Sequence, residues 1–463
     1  MAAKARKTIV GEIDPAVLAF TAGKDCVLDL ELVDADCIGT AAHVTMLARL
    51  NLHPRLFSSR QRAQVIDALV GIMRQARRGR FRILESDQDV HLAVERVLTA
   101  GLGDLGKRVH TGRSRNDQIA VDLRLYGKAQ LLGLIEETVE LALSLLRFAR
   151  RHERVPMVGR THLQPAMPSS VGLWASAHGE GLIDDLIVMR AAYEYNDRCP
   201  LGSAAGYGVP LAIDRRLTSR LLGFACPLHN VLHAANARGK CESVILSAAS
   251  QIMLTLSRLA EDLILYTMPE FGYFRVPAAF CTGSSIMPQK RNPDVLELVR
   301  ARTARVLAEA SAAAVVVKGL PAGYNRDLQE TKEPFLEGLR TTRESLRILC
   351  QLVDGLEVNR KALAAGFTPD VFATDKALEL VAAGMPFRDA YRHVKEHLGD
   401  LSGEDQARAL RHKTHLGAPA GLDVPFLARR ARERMSEVKI ERRKFYRAVS
   451  RLLGVSYPTL ERR

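Results

Sequence analysis

The chain of 463 residues is 47% hydrophobic and 25% charged, and it carries a formal net charge of +14. This length exceeds what one simple core requires, so we expect two or three domains. No apolar run approaches the roughly 20 residues that span a bilayer, and no apolar segment follows the basic residues 1–7 as a secretory signal requires. The seven cysteines form no C-x-x-C pair, which argues against a zinc site and favours reduced thiols in a cytoplasmic protein.

The positive charge allows two interpretations. A basic surface is typical of nucleic-acid-binding proteins, whereas a solvated arginine-rich surface also attracts anionic small molecules. The arginine clusters at residues 77–82 and 429–451 are not accompanied by the aromatic pattern of an RNA-binding or DNA-binding module. The sequence therefore favours a small-molecule substrate, with no nucleic-acid or membrane partner.

The apolar pattern predicts a mainly α protein whose centre is built from long helices. Residues 118–151, 241–268 and 293–317 contain few or no glycines and prolines, and apolar side chains recur in them at helical spacing. Residues 118–151 are apolar around much of the helix circumference, which requires burial on several sides. We therefore expect an elongated helical bundle that is buried between subunits as well as within one.

Glycine-rich segments indicate where the domains end. We expect an N-terminal helical domain over residues 1–112, a central long-helix bundle with a catalytic loop over residues 113–364, and a C-terminal helical domain over residues 365–463. Residues 101–107 also match a glycine pattern of nucleotide-binding sites. The residues before them are expected to form a helix instead of the strand that such a site needs, so this pattern predicts no cofactor.

The first polar cluster, residues 110–117, precedes a long helix. It contains Arg113, Ser114, Arg115 and Asn116. Arginine offers a planar fork of donors to a carboxylate, and the helix N-terminus adds free N–H groups and a favourable dipole. N-capping by Ser114 or a neighbour is the alternative, but capping needs a single such residue. The excess of polar side chains favours a carboxylate-binding role.

The second cluster, residues 159–165, contains a histidine among hydrogen-bonding side chains. His162 stands between Thr161 and Gln164, in what we expect to be a loop before a helix. A lone histidine is more often structural than catalytic. This one does not lie on an apolar helix face, so it is a candidate for acid–base chemistry.

The third cluster, residues 283–293, combines the hydroxyls of Ser284 and Ser285 with Lys290 and Asn292 on a segment rich in glycine and proline. Such a segment suits a mobile loop that brings reactive groups to a substrate, although a plain connector between helices has a similar composition. Its last residue, a proline, has the form of a first helical residue. Together the three clusters suit proton abstraction next to a carboxylate, with Lys290 stabilising the negative charge that develops.

Residues 283–293 resemble the signature loop of the fumarase/aspartase superfamily, and the chain as a whole resembles the argininosuccinate lyase/delta-crystallin family within it. The matching segments follow the family's order and cover most of the chain: residues 89–95, 110–118, 161–164, 201–206, 261–266, 318–330 and 384–388. The resemblance implies a three-domain, mainly α fold whose long-helix bundle forms the core of a homotetramer. It also implies a cytoplasmic enzyme of arginine biosynthesis, without cofactor or metal, that cleaves argininosuccinate reversibly into L-arginine and fumarate by β-elimination.

The resemblance also implies roles for individual residues. Ser284 would exchange a proton with the β-carbon of the substrate, His162 would be the partner acid–base group, and Glu297 would orient His162. Lys290 and Asn292 would stabilise the aci-carboxylate. The expected catalytic residues are therefore Ser284, His162, Lys290 and Glu297. The expected substrate-binding residues are Ser114, Arg115, Asn116, Thr161, Ser285, Asn292, Tyr324, Gln329 and Lys332. The residues alone leave open whether Ser284 or Ser285 carries the proton, and the family pattern favours Ser284.

Three positions depart from the family pattern. Arg160 stands where the family usually has tyrosine, a serine common near Gly23 is replaced, and the segment around His233 lacks acidic residues common there. These departures bear on the amine half of the substrate, so a related lyase that releases fumarate from another N-substituted aspartate is an alternative. A non-catalytic structural homologue is a further alternative, against which the intact catalytic residues argue.

Overall fold

Helices form most of the chain, so the expected mainly α class is confirmed. A computed structural model describes residues 6–8, 11–401 and 405–462, and residues 1–5 of the basic N-terminal segment lie outside these ranges. The helices up to the first long one are α1 Pro15–Ala22, α2 Asp25–Leu28, α3 Val33–Leu47, α4 Ser59–Arg77, α5 Val90–Leu102, α6 Asp104–Lys107 and α7 Arg115–Arg151. The central helices that follow are α8 Val171–Asn196, α9 Arg215–Leu221, α10 Val231–Asn236, α11 Lys240–Thr267, α12 Asp294–Val317 and α13 Lys332–Asp354. The last helices are α14 Arg360–Ala365, α15 Ala373–Ala382, α16 Phe387–Glu396, α17 Gln406–Arg411 and α18 Val424–Leu453.

The strands are short, and in the described ranges they pair into six two-stranded ladders. They are β1 Arg6–Thr8, β2 Gly11–Ile13, β3 Pro156–Thr161, β4 Gln164–Ser170, β5 Arg198–Cys199, β6 Cys226–Pro227, β7 Phe274–Arg275, β8 Thr282–Gly283, β9 Arg291–Asn292, β10 Glu357–Val358, β11 Val455–Ser456 and β12 Glu461–Arg462. The longest pair, β3 with β4, is an antiparallel hairpin. The ladders fix turns between helices rather than building a sheet.

Five long helices, α7, α8, α11, α12 and α13, form the central bundle. Helix α11 packs against α8, α12 and α13, and α7 packs against α8 and α13. Their inward-facing aliphatic side chains are fully buried, among them Leu131 on α7, Ile252 and Leu256 on α11, and Leu339 on α13. The spacing predicted α7, α11 and α12 to within a few residues, since apolar side chains three and four apart share one helix face. Helices α8 and α13 were not among the predicted elements.

Helix α11 is long and apolar enough to cross a membrane if only length and composition are considered. In the fold, 56% of its most apolar window is buried, and its neighbours on three sides are other helices of the bundle. An apolar helix that packs on several sides within a protein is a core helix. The packing of α11 within the bundle therefore explains why this helix is so hydrophobic.

The C-terminal part of the chain divides its packing between two cores. Helix α18 returns to the bundle and packs against α7 and α8. A small separate core of Ala377, Ala390, Val394 and Leu401 joins α15 and α16. The domain boundaries after residues 112 and 364 stay a prediction.

Two local expectations were wrong. Residues 159–165 form the tip of the β3–β4 hairpin, not a loop before a helix. Pro293 caps α12 and the helix starts at Asp294, one residue later than its first helical position was expected. The hairpin is the larger correction, because it places a histidine on a projecting turn.

Candidate active site

Five of the expected substrate-binding side chains line one cavity of about 110 Å³, the binding pocket. Arg115 and Asn116 come from the start of α7, while Tyr324, Gln329 and Lys332 come from the segment that leads into α13. More than 200 residues separate the two segments in the chain. The fold thus brings together groups that the sequence could connect only by resemblance.

The wall of the binding pocket is built around a buried lysine. Lys332 is 1% exposed, and its Nζ lies 2.5 Å from Oδ1 of Asp29 and 2.9 Å from Oδ2 of Asp25. Burial raises the pKa of Asp25, and the charge of Lys332 opposes that rise. Two carboxylates thus already surround the Lys332 ammonium group, so this side chain is fixed before any ligand arrives.

Further charged groups line the binding pocket, and the sequence patterns had not identified them. Arg115 forms an ion pair with Asp89 at 2.8 Å, and the guanidinium of Arg238 lies 5.6 Å from the ring of Tyr324. The additional lining residues are Asp25, Asp29, Gln88, Asp89, His91, Arg238 and Arg326. The four-residue spacing of Asp25 and Asp29 places two carboxylates on one helix face, and this signal could have revealed them.

A buried cluster of Asp36, His91 and Asp122 lies beside the binding pocket. Nδ1 of His91 is 2.8 Å from Oδ1 of Asp36 and 3.5 Å from Oδ2 of Asp122. Burial, followed by the charge of Asp36, raises the pKa of Asp122 well above its usual value. These residue types could hold a cation, but the charges of Arg113 and Lys332 already act on Asp122. We interpret the cluster as a buried ionic network that supports the pocket wall.

The β3–β4 hairpin carries Thr161 and His162 at its exposed tip. Thr161 pairs with Gln164, so His162 and Leu163 form a two-residue turn, and both have positive φ, 54° and 61°. Positive φ at both central residues is the pattern of a type I′ hairpin turn, which normally uses asparagine and glycine. A histidine and a leucine therefore occupy a strained backbone conformation, which costs roughly 1–2 kcal/mol for each such residue.

The loop at residues 283–293 starts and ends at the β8–β9 ladder, where Thr282 pairs with Asn292. The hydroxyl oxygen of Ser284 accepts hydrogen bonds from the backbone N–H groups of Ile286, at 3.3 Å, and Met287, at 3.1 Å. Within the described residues, no comparable pair of donors reaches the hydroxyl of Ser285. The loop geometry therefore distinguishes the two serines and provides Ser284 with groups that stabilise an oxyanion.

Lys290, Asn292 and Glu297 line a second, wider cavity of about 730 Å³ beside this loop, the loop cavity. Cys281 also lines it, and burial raises the pKa of its thiol. A raised pKa reduces the thiolate fraction, so Cys281 suits the role of a packed thiol rather than that of a nucleophile.

Within one chain, the binding pocket and the loop cavity lie at opposite ends of α11. Arg238, two residues before α11, lines the binding pocket, whereas Thr267, its last residue, lines the loop cavity. The 28 residues of the helix span about 42 Å at 1.5 Å per residue. The hairpin tip lies near the loop end, since the guanidinium of Arg160 is 4.7 Å from the ring of Phe271. Recognition groups and reactive groups of one chain therefore do not meet.

Comparisons with known proteins find relatives that cover most of the chain. The profile of a family described as Lyase matches residues 9–308. Argininosuccinate lyase of Sorangium cellulosum is 46% identical over 420 residues, which cover 91% of this chain and 96% of that enzyme. Argininosuccinate lyase of Thermotoga neapolitana is 39% identical over 84% of this chain and 96% of that enzyme.

Solved structures share the fold. An EDDS lyase in complex with formate superposes with a TM-score of 0.79, at 20% identity, over 98% of this chain and 99% of that one. A fumarate lyase:delta crystallin from Brucella melitensis, bound to cobalt, superposes with a TM-score of 0.71, at 20% identity, over 94% of this chain and 99% of that one. At these identities the likeness concerns the fold alone.

Proposed function

The chain belongs to the argininosuccinate lyase family, and we propose that it cleaves argininosuccinate reversibly into L-arginine and fumarate as a step of arginine biosynthesis. Identity with argininosuccinate lyases over most of the chain carries this conclusion. The binding pocket supports it, because Arg115 and Asn116 can donate to carboxylates while Asp25, which pairs with Lys332 through one oxygen, can accept from a guanidinium group. Argininosuccinate carries both kinds of group.

The reaction starts with the removal of a proton from the β-carbon of the succinate half, and Ser284 takes this proton. A serine hydroxyl is a weak base, so its alkoxide needs stabilising neighbours. The two backbone N–H groups directed at its Oγ support this role for Ser284 rather than Ser285. The electron pair of the broken C–H bond moves into the adjacent carboxylate, which becomes a dianion.

Lys290 and Asn292 stabilise that dianion, since fixed donors at developing charge lower the barrier. The carbon–nitrogen bond then breaks, fumarate forms, and the electron pair stays on the guanidino nitrogen of arginine. His162 donates the proton that this nitrogen takes up, and Glu297 orients the imidazole. Thr161, Ser285, Tyr324 and Gln329 bind the substrate, and Lys332 keeps the two pocket carboxylates in place.

These steps require groups that one chain holds about 42 Å apart along α11. We therefore place the active site between subunits of a homotetramer, with the binding pocket of one copy facing the loop and hairpin of others. The free thiols of all seven cysteines support a cytoplasmic location.

The activity is tested by incubating the purified protein with argininosuccinate and following the ultraviolet absorbance of fumarate. We expect fumarate and arginine to appear in equal amounts, and the reverse reaction to consume both. Adenylosuccinate and aspartate serve as competing substrates. Fumarate from one of these but not from argininosuccinate would favour the related lyase, and no turnover of any of them would favour a structural homologue.

The assembly is tested separately by light scattering on the eluting protein. We expect four times the 51.0 kDa of the chain. A monomer that turns over argininosuccinate at a normal rate would contradict the shared site.

A further inference from the structure

The turn that carries His162 makes few stabilising contacts within its own hairpin. Residues 161–165 are all exposed, so neighbouring side chains do not cover the turn. Pro165 pairs with Arg160 in the ladder but has no N–H to donate. The register also shifts between Gly159 and Arg160, which marks a bulge just below the tip. Bulges re-aim neighbouring side chains and interrupt ladder hydrogen bonds.

Arg160 supplies a contact that the ladder lacks. Its Nη1 donates to the carbonyl oxygen of Leu163 at 2.9 Å, which closes the turn from below. Among the residues that the structure describes, this is the one side-chain hydrogen bond made to the two-residue turn. The acceptor belongs to Leu163, whose φ of 61° leucine rarely adopts.

The guanidinium of Arg160 is itself fixed. It lies 4.7 Å from the ring of Phe271, a cation–π distance, and Phe271 in turn packs edge-on against Tyr266 and Tyr273. A planar guanidinium that stacks on an aromatic ring loses little freedom when it donates a hydrogen bond. Arg160 thus connects the exposed turn to the aromatic side chains at the C-terminal end of α11.

We propose that Arg160 is a positioning residue for catalysis: its bond to the Leu163 carbonyl holds the turn in the conformation that presents His162 to the substrate. This inference rests on the proposed role of His162 as the acid–base partner. Arg160 does not touch the reacting atoms, so it acts on the rate through geometry. Misplacing a catalytic group by about 1 Å can cost up to 100-fold in rate.

The test is a cycle of variants assayed with argininosuccinate. We expect Arg160→Ala to lower kcat about tenfold, which is 1.4 kcal/mol, while KM changes less than twofold. Leu163→Gly should leave kcat near the wild-type value, because glycine adopts positive φ without strain. The double variant Arg160→Ala/Leu163→Gly should recover kcat to within threefold of wild type, since the turn then forms without the arginine.

Two further variants serve as a partial disruption of the Arg160 contact and as a control. Phe271→Leu retains the guanidinium but removes its stacking partner, so kcat should fall two- to threefold. Arg154→Ala removes an exposed arginine just before β3 and should change nothing. Equal rates for Arg160→Ala and the double variant, a wild-type kcat in Arg160→Ala, or a change confined to KM would each overturn the proposal.

A different result would contradict the proposed role of His162. His162→Asn should abolish most turnover whatever residue occupies position 160. If His162→Asn keeps wild-type turnover, then His162 is not the acid–base partner. If it is inactive while Arg160→Ala is fully active, only the positioning role of Arg160 fails.

Discussion

The binding pocket and the reactive segments are built by opposite means. In the binding pocket, side chains are fixed by buried ion pairs, such as that of Lys332 with Asp29 at 2.5 Å. In the hairpin tip and the 283–293 loop, His162, Ser285 and Lys290 are exposed, and turns of the backbone set their positions. The recognition groups are thus fixed within one chain, whereas the proposed reactive groups are exposed, as the proposed assembly requires.

The difference has a physical cause. Charged groups are costly to bury, and they are tolerated in the binding pocket because each has a partner. In the proposed assembly, a group that must meet a substrate bound by another subunit cannot have all its partners in its own chain. The rigid bundle therefore holds the pocket, and short turns at its far end carry the reactive side chains.

The largest effect should come from the exposed region. Ser284→Ala removes the proposed base, so we expect kcat to fall by about 10²–10⁴-fold, which is the contribution of proton transfer by a positioned group. Circular dichroism and light scattering should match wild type, since the loop packs on no core. Ser285→Ala is the matched control and should lose less than tenfold. A larger loss in Ser285→Ala than in Ser284→Ala would exchange the two roles.

The next effect concerns stability in the binding pocket. Lys332→Met leaves Asp25 and Asp29 without their cation, and breaking a buried ion pair in this way costs about 3–5 kcal/mol. The free energy of unfolding in urea should fall by this amount at equal protein concentration. Lys24, whose side chain is 70% exposed beside Glu333, is the control, and Lys24→Met should leave unfolding unchanged. Equal effects of the two variants would contradict the contrast between buried and exposed charges.

A moderate effect on stability should appear at acid pH and come from a buried histidine on α3. Nε2 of buried His43 lies 2.9 Å from the carbonyl oxygen of Thr111, and burial lowers the pKa of His43 to about 3. Below about pH 6.5 the unfolded chain binds a proton that the fold excludes, so stability falls as pH falls from 6.5 towards 3. The loss by pH 5 is about 2 kcal/mol from this group.

This contribution is measured by urea unfolding at pH 7.5 and pH 5. His43→Gln can still donate to the carbonyl but cannot titrate, so its loss between the two pH values should be smaller than that of wild type. An identical loss in both proteins would show that other groups cause the acid sensitivity.

The smallest expected effect separates capping from binding at Ser114. Ser114 and Ser58 each cap a helix in a capping box, α7 and α4 respectively. Replacing either by alanine should cost about 1 kcal/mol of stability. Only Ser114→Ala should also raise KM for argininosuccinate, because Ser114 adjoins Arg115 and Asn116. An unchanged KM would assign Ser114 to capping alone.

The sequence predicted the long helices well because their apolar side chains repeat at a regular spacing over 20 or more residues. It missed the β3–β4 hairpin, whose turn contains His162 and Leu163 instead of asparagine and glycine and whose strands include prolines. The hairpin exists because the chain between α7 and α8 must turn back beside the bundle. Tertiary context of this kind has no local pattern.

In the candidate site, too, some features were indicated by the sequence and others appear only in the structure. Resemblance indicated Lys332, but nothing in the sequence showed that its ammonium is paired with Asp25 and Asp29, about 300 residues earlier. The preference for Ser284 over Ser285 came from the family pattern and stays a prediction, which the N–H groups of Ile286 and Met287 at the Ser284 hydroxyl support. Contacts between distant segments and the direction of backbone donors appear only in three dimensions.

Helix α11 sets a fixed distance between the binding pocket and the loop cavity of one chain. One inserted residue would rotate everything beyond it by about 100° and shift it by about 1.5 Å. The buried face of the helix would then lose its register with α8, α12 and α13, and the loop cavity would move relative to the binding pocket. Insertions and deletions should therefore be excluded from this helix during divergence, while surface turns vary freely in length.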